Sequence, residues 1–186
     1  EVIAAADAAL AEYGAGAGAS RLVTGNHALY GRLEVQLAAF KGTEAALVFS
    51  SGYMASMGVI PALVGKNDLI LADRLIHACM LDAARLSGAD LMRFTHNNID
   101  HCHLLLEENR ADYERCLILT ETVFSMDGDR APIAALRALA KQHDAWLMTD
   151  DAHGLGLLPA EAADVQMGTL SKACGSAGGY VCASKA

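Results

Sequence analysis

Lys172 sits in the stretch GTLSKACGSAGGYV, residues 168–181, with Ser171 before it and Ala173, Cys174 and Gly175 after it. An amine among such small neighbours fits a loop facing water. It equally fits a nucleophile kept beside space where something flat can lie against the backbone. Asp150, Asp151 and His153 come in AWLMTDDAHG, residues 145–154. Adjacent strand residues point to opposite faces, so one of the two aspartates faces a site. A carboxylate there also fits a cap on the next turn. A metal held by Asp150, Asp151 and His153 is the weaker reading, because no second histidine or carboxylate follows at ligand spacing. His77 follows DLILAD, where an imidazole fits either a stack on an aromatic ligand or a helix start in water. SSGYMAS, residues 50–56, follows an apolar run and opens a helix. Its small residues bare backbone N–H groups at a positive helix end, a ready place for a phosphate. No G-K-[ST] follows, so it is not a Walker loop.

The elements that carry these residues alternate. Residues 1–13 read as an alanine-rich helix that GAGAGAS ends, and 29–41 as a second helix with Leu33, Leu37 and Phe40 at helical spacing. Apolar runs at 45–49, 68–73, 90–95, 115–121, 145–150, 164–169 and 178–184 read as strands. Helices are predicted at 53–64, 76–86, 99–109 and 132–143, the last with Pro132 at its first turn. Apolar strands separated by amphipathic helices predict an α/β fold, a mostly parallel sheet with helices on both faces. Ligands bind such sheets at the carboxyl ends of the strands. The polar residues there are Ser50 to Gly52, Asp73 and His77, Glu121 to Ser125, Asp150 to His153, and Thr169 to Lys172.

The chain has 186 residues, of which 53% are hydrophobic, enough for one domain with a sizeable core and too apolar for disorder. Its net charge of −8 excludes a general nucleic-acid binder, which needs a basic face. The longest apolar stretch, near Tyr53 to Gly65, is interrupted by Ser56 and Pro61 and is shorter than the ~20 residues of a membrane span. EVIAAADAAL lacks the basic start of a secretory signal, and five scattered cysteines without C-x-x-C spacing read as free thiols of a reducing cytoplasm. GAGAGA, residues 14–19, matches G-x-G-x-x-A, but a helix precedes it where the dinucleotide motif needs a strand, so it reads as a flexible connection. His96, His101 and His103 read as surface or partly buried side chains, since His101 and His103 do not share a helix face.

Singly, these signals decide nothing. Together they set a phosphate cradle, an aromatic stacker, a carboxylate and a lysine at one sheet edge. That set suits a phosphorylated, flat, nitrogen-containing ring bound through an imine, and pyridoxal phosphate needs those parts.

The sequence resembles the α-oxoamine synthases, fold-type-I pyridoxal-phosphate enzymes. The matching text is SRLVTGNHALYGRLEVQLAAFKGTEAALVFSSGY, ADRLIHA, FTHNN, TETVFSMDGDRAPI, WLMTDDAHGLG and TLSKACGSAGGYV, in the family's order over nearly the whole chain. The resemblance implies that Lys172 is the Schiff-base lysine and Asp150 the carboxylate on the pyridine nitrogen. It implies that His153 and Ser125 lie near the ring's phenolic oxygen and that His77 stacks on the ring. Gly52 and Tyr53 match the phosphate loop, Thr169 a phosphate-contacting hydroxyl, and Glu121 an acidic residue near the site. No metal is implied. The implied reaction is a decarboxylating condensation of an amino acid with an acyl thioester (acyl-CoA or acyl carrier protein) to give an α-amino ketone.

SRLVTGN, HNN and MDGDRAP look most like the member that joins L-alanine to a pimeloyl thioester in biotin synthesis. A relative that condenses glycine with succinyl-CoA shares MDGD-x-AP, and glycine acetyltransferases are further relatives. Rival readings are an aminotransferase or aldolase of the same fold type, a non-catalytic partner subunit, which in this family lacks the lysine, and a nucleotide-binding module resting on GAGAGA alone. Family members are roughly twice this long and act as homodimers. The resemblance therefore covers an N-terminal helix and connection, 1–28, and the cofactor-binding large domain, 29–186. The family's C-terminal small domain, with its substrate-carboxylate arginine, falls outside this sequence. The link from Leu157 to Asp164 is shorter than the family's usual loop, and Tyr30 stands where a histidine is frequent.

Overall fold

The computed structural model describes residues 1–157 and 163–185. Contacts divide the chain into two units, Glu1–Leu33 and Glu34–Ala186. The first holds helix α1 (Val2–Tyr13), the exposed glycine-rich connection, and the start of α2 (Ala28–Lys41). Gly14, Gly16 and Gly18 adopt positive φ, which breaks α1 and gives no strand-to-helix turn.

The second unit is one seven-stranded sheet. Its strands are β1 (Ala45–Phe49), β2 (Leu69–Asp73), β3 (Asp90–Phe94), β4 (Cys116–Glu121), β5 (Trp146–Asp150), β6 (Val165–Thr169) and β7 (Gly179–Ala183). They lie in the order β1-β7-β6-β5-β4-β2-β3. β7 runs antiparallel to both its neighbours, β1 and β6, and the other strand pairs are parallel. It returns from β6 through the short connection 170–178, and so short a connection permits only an antiparallel pair. Lys172 rides on that connection.

Helices cover both faces, as the alternation predicts. Ile70, Ala72, Leu117, Leu119 and Met148 turn to one face, where they pack on α3 (Gly52–Leu63) and α4 (Ala78–Ser87). Leu69, Leu71, Cys116, Ile118 and Leu147 turn to the other, against α5 (Ile99–Asn109) and α6 (Ile133–Gln142). Helix α6 meets the sheet through Ile133, Leu136, Leu139 and Ala140, spaced three and four apart.

Several predicted boundaries move, each for a local reason. Asp68 leaves its strand because its carboxylate accepts from the N–H groups of Gly65 and Arg115. The fourth helix begins at Ala78 rather than Ile76, because the His77 ring caps it by accepting from Cys79 N. Pro132 stands at the N-cap position of α6 rather than inside its first turn. The short link after Leu157 falls mostly outside the described residues. Among the described residues no helix is long and apolar enough to cross a membrane.

Candidate active site

A cavity of about 200 Å³ opens at the carboxyl edge of the sheet. Four strand ends build it. The turn after β1 supplies Ser51, Gly52 and Tyr53, β4 supplies Glu121, and β5 with its following turn supplies Asp150 and His153. The end of β6 supplies Thr169, and the connection to β7 supplies Lys172. His77, at the head of α4, closes the opposite side. The sequence thus places eight of its nine candidate cofactor residues on one cavity wall or another. Ser125 is the exception. It stands exposed on the turn that follows buried Phe124 and does not line the cavity.

The walls are set by local chemistry. Ser51 caps α3, its hydroxyl accepting from Met54 N at 3.1 Å. That leaves the N–H groups of the first turn aimed at the cavity mouth, the geometry that holds an anion. Gly179 of β7 lies against the Ser51 carbonyl and Gly52 nitrogen, and a Cβ there would collide with both. Glycine is therefore what lets the helix start sit so low on the sheet. The Thr169 hydroxyl lies 2.8 Å from that of Ser171 and donates to Gly178 O at 3.0 Å, which ties down the connection bearing Lys172. His77 Nδ1 is taken by the Cys79 N–H, so a neutral ring carries its proton on Nε2.

Asp150 and Glu121 are register partners on adjacent strands, both buried and both turned to the α3–α4 face. Burial pushes Glu121 up to about 7, and the Asp150 charge adds to the rise, while the His77 N–H and the Lys172 charge oppose it. Burial raises Asp150 to about 6, against the Ala152 N–H, which donates to its Oδ1 at 2.8 Å, and the charges of Lys172 and His77. His153 is lowered by burial and by the positive charges of Lys172 and His77. Two carboxyls that resist ionisation thus stand beside an exposed amine in one cavity.

Asp151 belongs elsewhere. Its carboxylate meets Lys41 Nζ at 2.7 Å and the Thr122 hydroxyl at 2.6 Å, on the other side of the strand. Sequence reasoning missed these partners, and it missed Cys79 and Met167 in the cavity wall, whereas Ser171 lies within its candidate run Thr169 to Lys172. Met167 was legible in principle, as the residue of β6 paired with Asp150. Burial pushes the Cys79 thiol up to about 11, so it lines the cavity as an uncharged group. The histidine cluster also resolves. His101 Nδ1 accepts from Thr95 N at 3.0 Å, and His103 reaches Glu107 at 3.4 Å. His96 lies between Asp73, at 2.9 Å, and Asp129, at 2.8 Å. With Asp127 and Asp129 it forms the one His/Asp group close enough to ligate a metal among the described residues, and both ring nitrogens already have carboxylate partners.

Known proteins share this fold. The family model for aminotransferase class I and II matches residues 1–186. The 8-amino-7-oxononanoate synthase of Methylorubrum populi is 60% identical over the whole chain, which covers 48% of that protein. A serine palmitoyltransferase from S. paucimobilis, solved with bound PLP–myriocin, superposes with a TM-score of 0.91 at 34% identity, over 98% of this chain and 50% of that one. The 8-amino-7-oxononanoate synthase of Francisella tularensis superposes with a TM-score of 0.72 at 27% identity, over 95% of this chain and 51% of that one. The chain spans about half the length of the curated relatives it matches. The fold is that of the fold-type-I pyridoxal-phosphate transferases, and the neighbours are the α-oxoamine synthases that the motifs resemble.

Proposed function

The chain belongs to the aminotransferase class I and II family, and from that premise we propose that it is the cofactor-binding large domain, residues 29–186 with the N-terminal segment 1–28 before it, of an 8-amino-7-oxononanoate synthase. The reaction would join L-alanine to a pimeloyl thioester, with loss of carbon dioxide and the thiol. One observation carries the reading: Lys172, the buried Asp150 and the capped start of α3 meet in a single cavity. The naming of relatives at 56–60% identity supports the choice of substrates.

The residues present fit pyridoxal phosphate. The N–H groups after Ser51 and the Thr169 hydroxyl suit its phosphate, Asp150 its ring nitrogen, and the Lys172 amine its aldehyde. When bound, the cofactor supplies an electron sink for the amino acid's α-carbon. Asp150 would keep a proton on the ring nitrogen, and a cation there would draw the Asp150 pKa back down. His77 would lie against the ring and orient it, its Nδ1 held by the Cys79 N–H. His153, which lines the same cavity, would stand near the ring oxygen. Lys172 Nζ would hold the cofactor's aldehyde carbon and, when free, would take up the substrate's α-proton. The complete enzyme is read as a cytoplasmic homodimer.

The test is to load the complete protein with pyridoxal phosphate, reduce it with borohydride and locate the adduct by mass spectrometry. A pyridoxyl group on the peptide bearing Lys172 is expected. Thiol release is then compared for alanine with pimeloyl-CoA, glycine with succinyl-CoA, and serine with palmitoyl-CoA. No adduct on Lys172 would overturn the cofactor assignment, and faster turnover of either alternative pair would overturn the substrate assignment.

A further inference from the structure

Lys41 is a lysine that the proposed chemistry does not use, and it is only 4% exposed. It ends α2, within the unit that holds the sheet. Its Nζ donates to Asp151 Oδ2 at 2.7 Å, and Asp151 is 3% exposed. The Gln166 side-chain amide donates to the Lys41 carbonyl, which fixes the end of the helix on the same sheet face. Asp151 is then held from every side. Its Oδ1 accepts from Thr122 Oγ1 at 2.6 Å, and its N–H donates to Met167 O at 2.7 Å. Its carbonyl accepts from Gly154 N at 3.1 Å and Leu155 N at 3.0 Å. Thr122 N in turn donates to Asp150 O at 2.8 Å. A Cβ at Gly154 would strike both the Asp151 carboxylate and the Thr122 hydroxyl, so the turn closes directly onto the ion pair.

We propose that Lys41 is a positioning residue for the active site: its buried ion pair with Asp151 sets the turn 150–155 from behind the sheet and so aims Asp150 and His153 into the cavity. The link is short. Asp150 Oδ1 is oriented by the N–H of Ala152, the residue after Asp151, and His153 is the next residue on. A buried ion pair is a poor way to gain stability, because desolvation offsets the attraction, and an apolar pair of similar volume does as well or better. What it fixes is direction, since a lysine and a carboxylate that meet at 2.7 Å admit few other arrangements of this turn. The proposal rests on the reading of Lys172 and Asp150 as cofactor residues.

The experiment compares the complete protein with Lys41→Met, Lys41→Arg and the double variant Lys41→Met/Asp151→Asn, which leaves no unpaired charge. Two readouts are taken: pyridoxal-phosphate affinity by absorbance titration, and amide hydrogen exchange in the unloaded protein. Lys41→Met is expected to weaken cofactor affinity about tenfold and to speed exchange at Ala152 to Leu155 ahead of the sheet. Lys41→Arg is expected to restore most of both. If Lys41→Met does not fold, the double variant decides, with the same weaker binding and local exchange expected. Affinity equal to the parent's, or exchange raised evenly over the sheet, would show a residue that only stabilises and would overturn the proposal. If the parent binds no cofactor on Lys172, the functional reading falls and this one with it. If the parent binds and the variants bind equally, this one falls alone.

Discussion

Asp150 and Asp151 are consecutive, both carboxylates and both buried, at 5% and 3% exposure, yet they live in opposite environments. Asp150 faces the α3–α4 side, with Glu121 across the strand pair and Lys172 beyond. Asp151 faces the other side and is paired with Lys41 and Thr122. One carboxylate is solvated by fixed partners, and the other is left short of them. Placing a charge short of partners costs free energy that a folded chain tolerates where a ligand completes the set. The difference separates an acid bound within the fold from one left open at the cavity. The same contrast divides the lysines: Lys41 is spent on an ion pair, whereas Lys172 lies exposed at the cavity.

The comparison breaks most sharply at Lys172. Lys172→Ala should abolish the borohydride-reducible adduct and lower product formation by more than about a thousandfold, the scale of removing a nucleophile. Asp150→Asn and Asp151→Asn should then part company. Asp150→Asn keeps an oxygen for the Ala152 N–H and removes a charge beside Glu121. It should leave the unloaded protein as stable as before, or more so, while turnover falls about 10²–10³-fold. Asp151→Asn strands the Lys41 ammonium and should cost about 3–5 kcal/mol in chemical denaturation. If both variants destabilise alike, the two carboxylates are not different in kind.

The pH dependence sharpens the same contrast. Glu121 and Asp150 are raised in the folded protein, to about 7 and about 6, chiefly by burial. A raised acid binds its proton more tightly in the folded state than in the unfolded one. Its stabilising contribution is full at low pH and is lost as pH rises through the folded value. The unloaded protein should therefore lose thermal stability from about pH 4 to about pH 7, and Glu121→Gln should flatten that loss. A parent and variant with parallel curves would remove Glu121 from the buried pair.

How much of this was legible follows from the physics of each signal. Strand and helix order came through because apolar runs and amphipathic spacing repeat locally, and the sheet face of each strand residue follows from a period of two. Asp150 and Lys172 were legible as parts of specific motifs. The sequence also implied that only one of the two aspartates faces the site. Which residue satisfies the other was not legible, since Lys41 lies 110 positions away and nothing local marks it. The antiparallel turn of β7 was legible only through the short link between the runs 164–169 and 178–184, because an apolar run by itself reads the same in either direction. Ser125 shows the reverse failure: its motif matches the family's text, yet the side chain stands outside the cavity wall.

The smallest effect concerns Tyr53, which the motif assigns to the phosphate loop. Its ring borders the cavity, but its hydroxyl donates to Asp82 Oδ2 at 3.1 Å, and the residue is 46% exposed. That hydrogen bond to a carboxylate raises the phenol's pKa, so the hydroxyl stays neutral and turned toward α4. Tyr53→Phe removes the hydrogen bond and leaves the ring. Because the pair is exposed, the loss in stability should be too small to shift the denaturation midpoint measurably. If the phosphate is held by the backbone N–H groups at the start of α3, as the Ser51 cap and Gly179 favour, cofactor affinity should change less than about threefold. A tenfold loss in absorbance titration would instead mean that Tyr53 leaves Asp82 when the phosphate arrives. The cradle would then owe part of its grip to a side chain that the unloaded protein keeps on another partner.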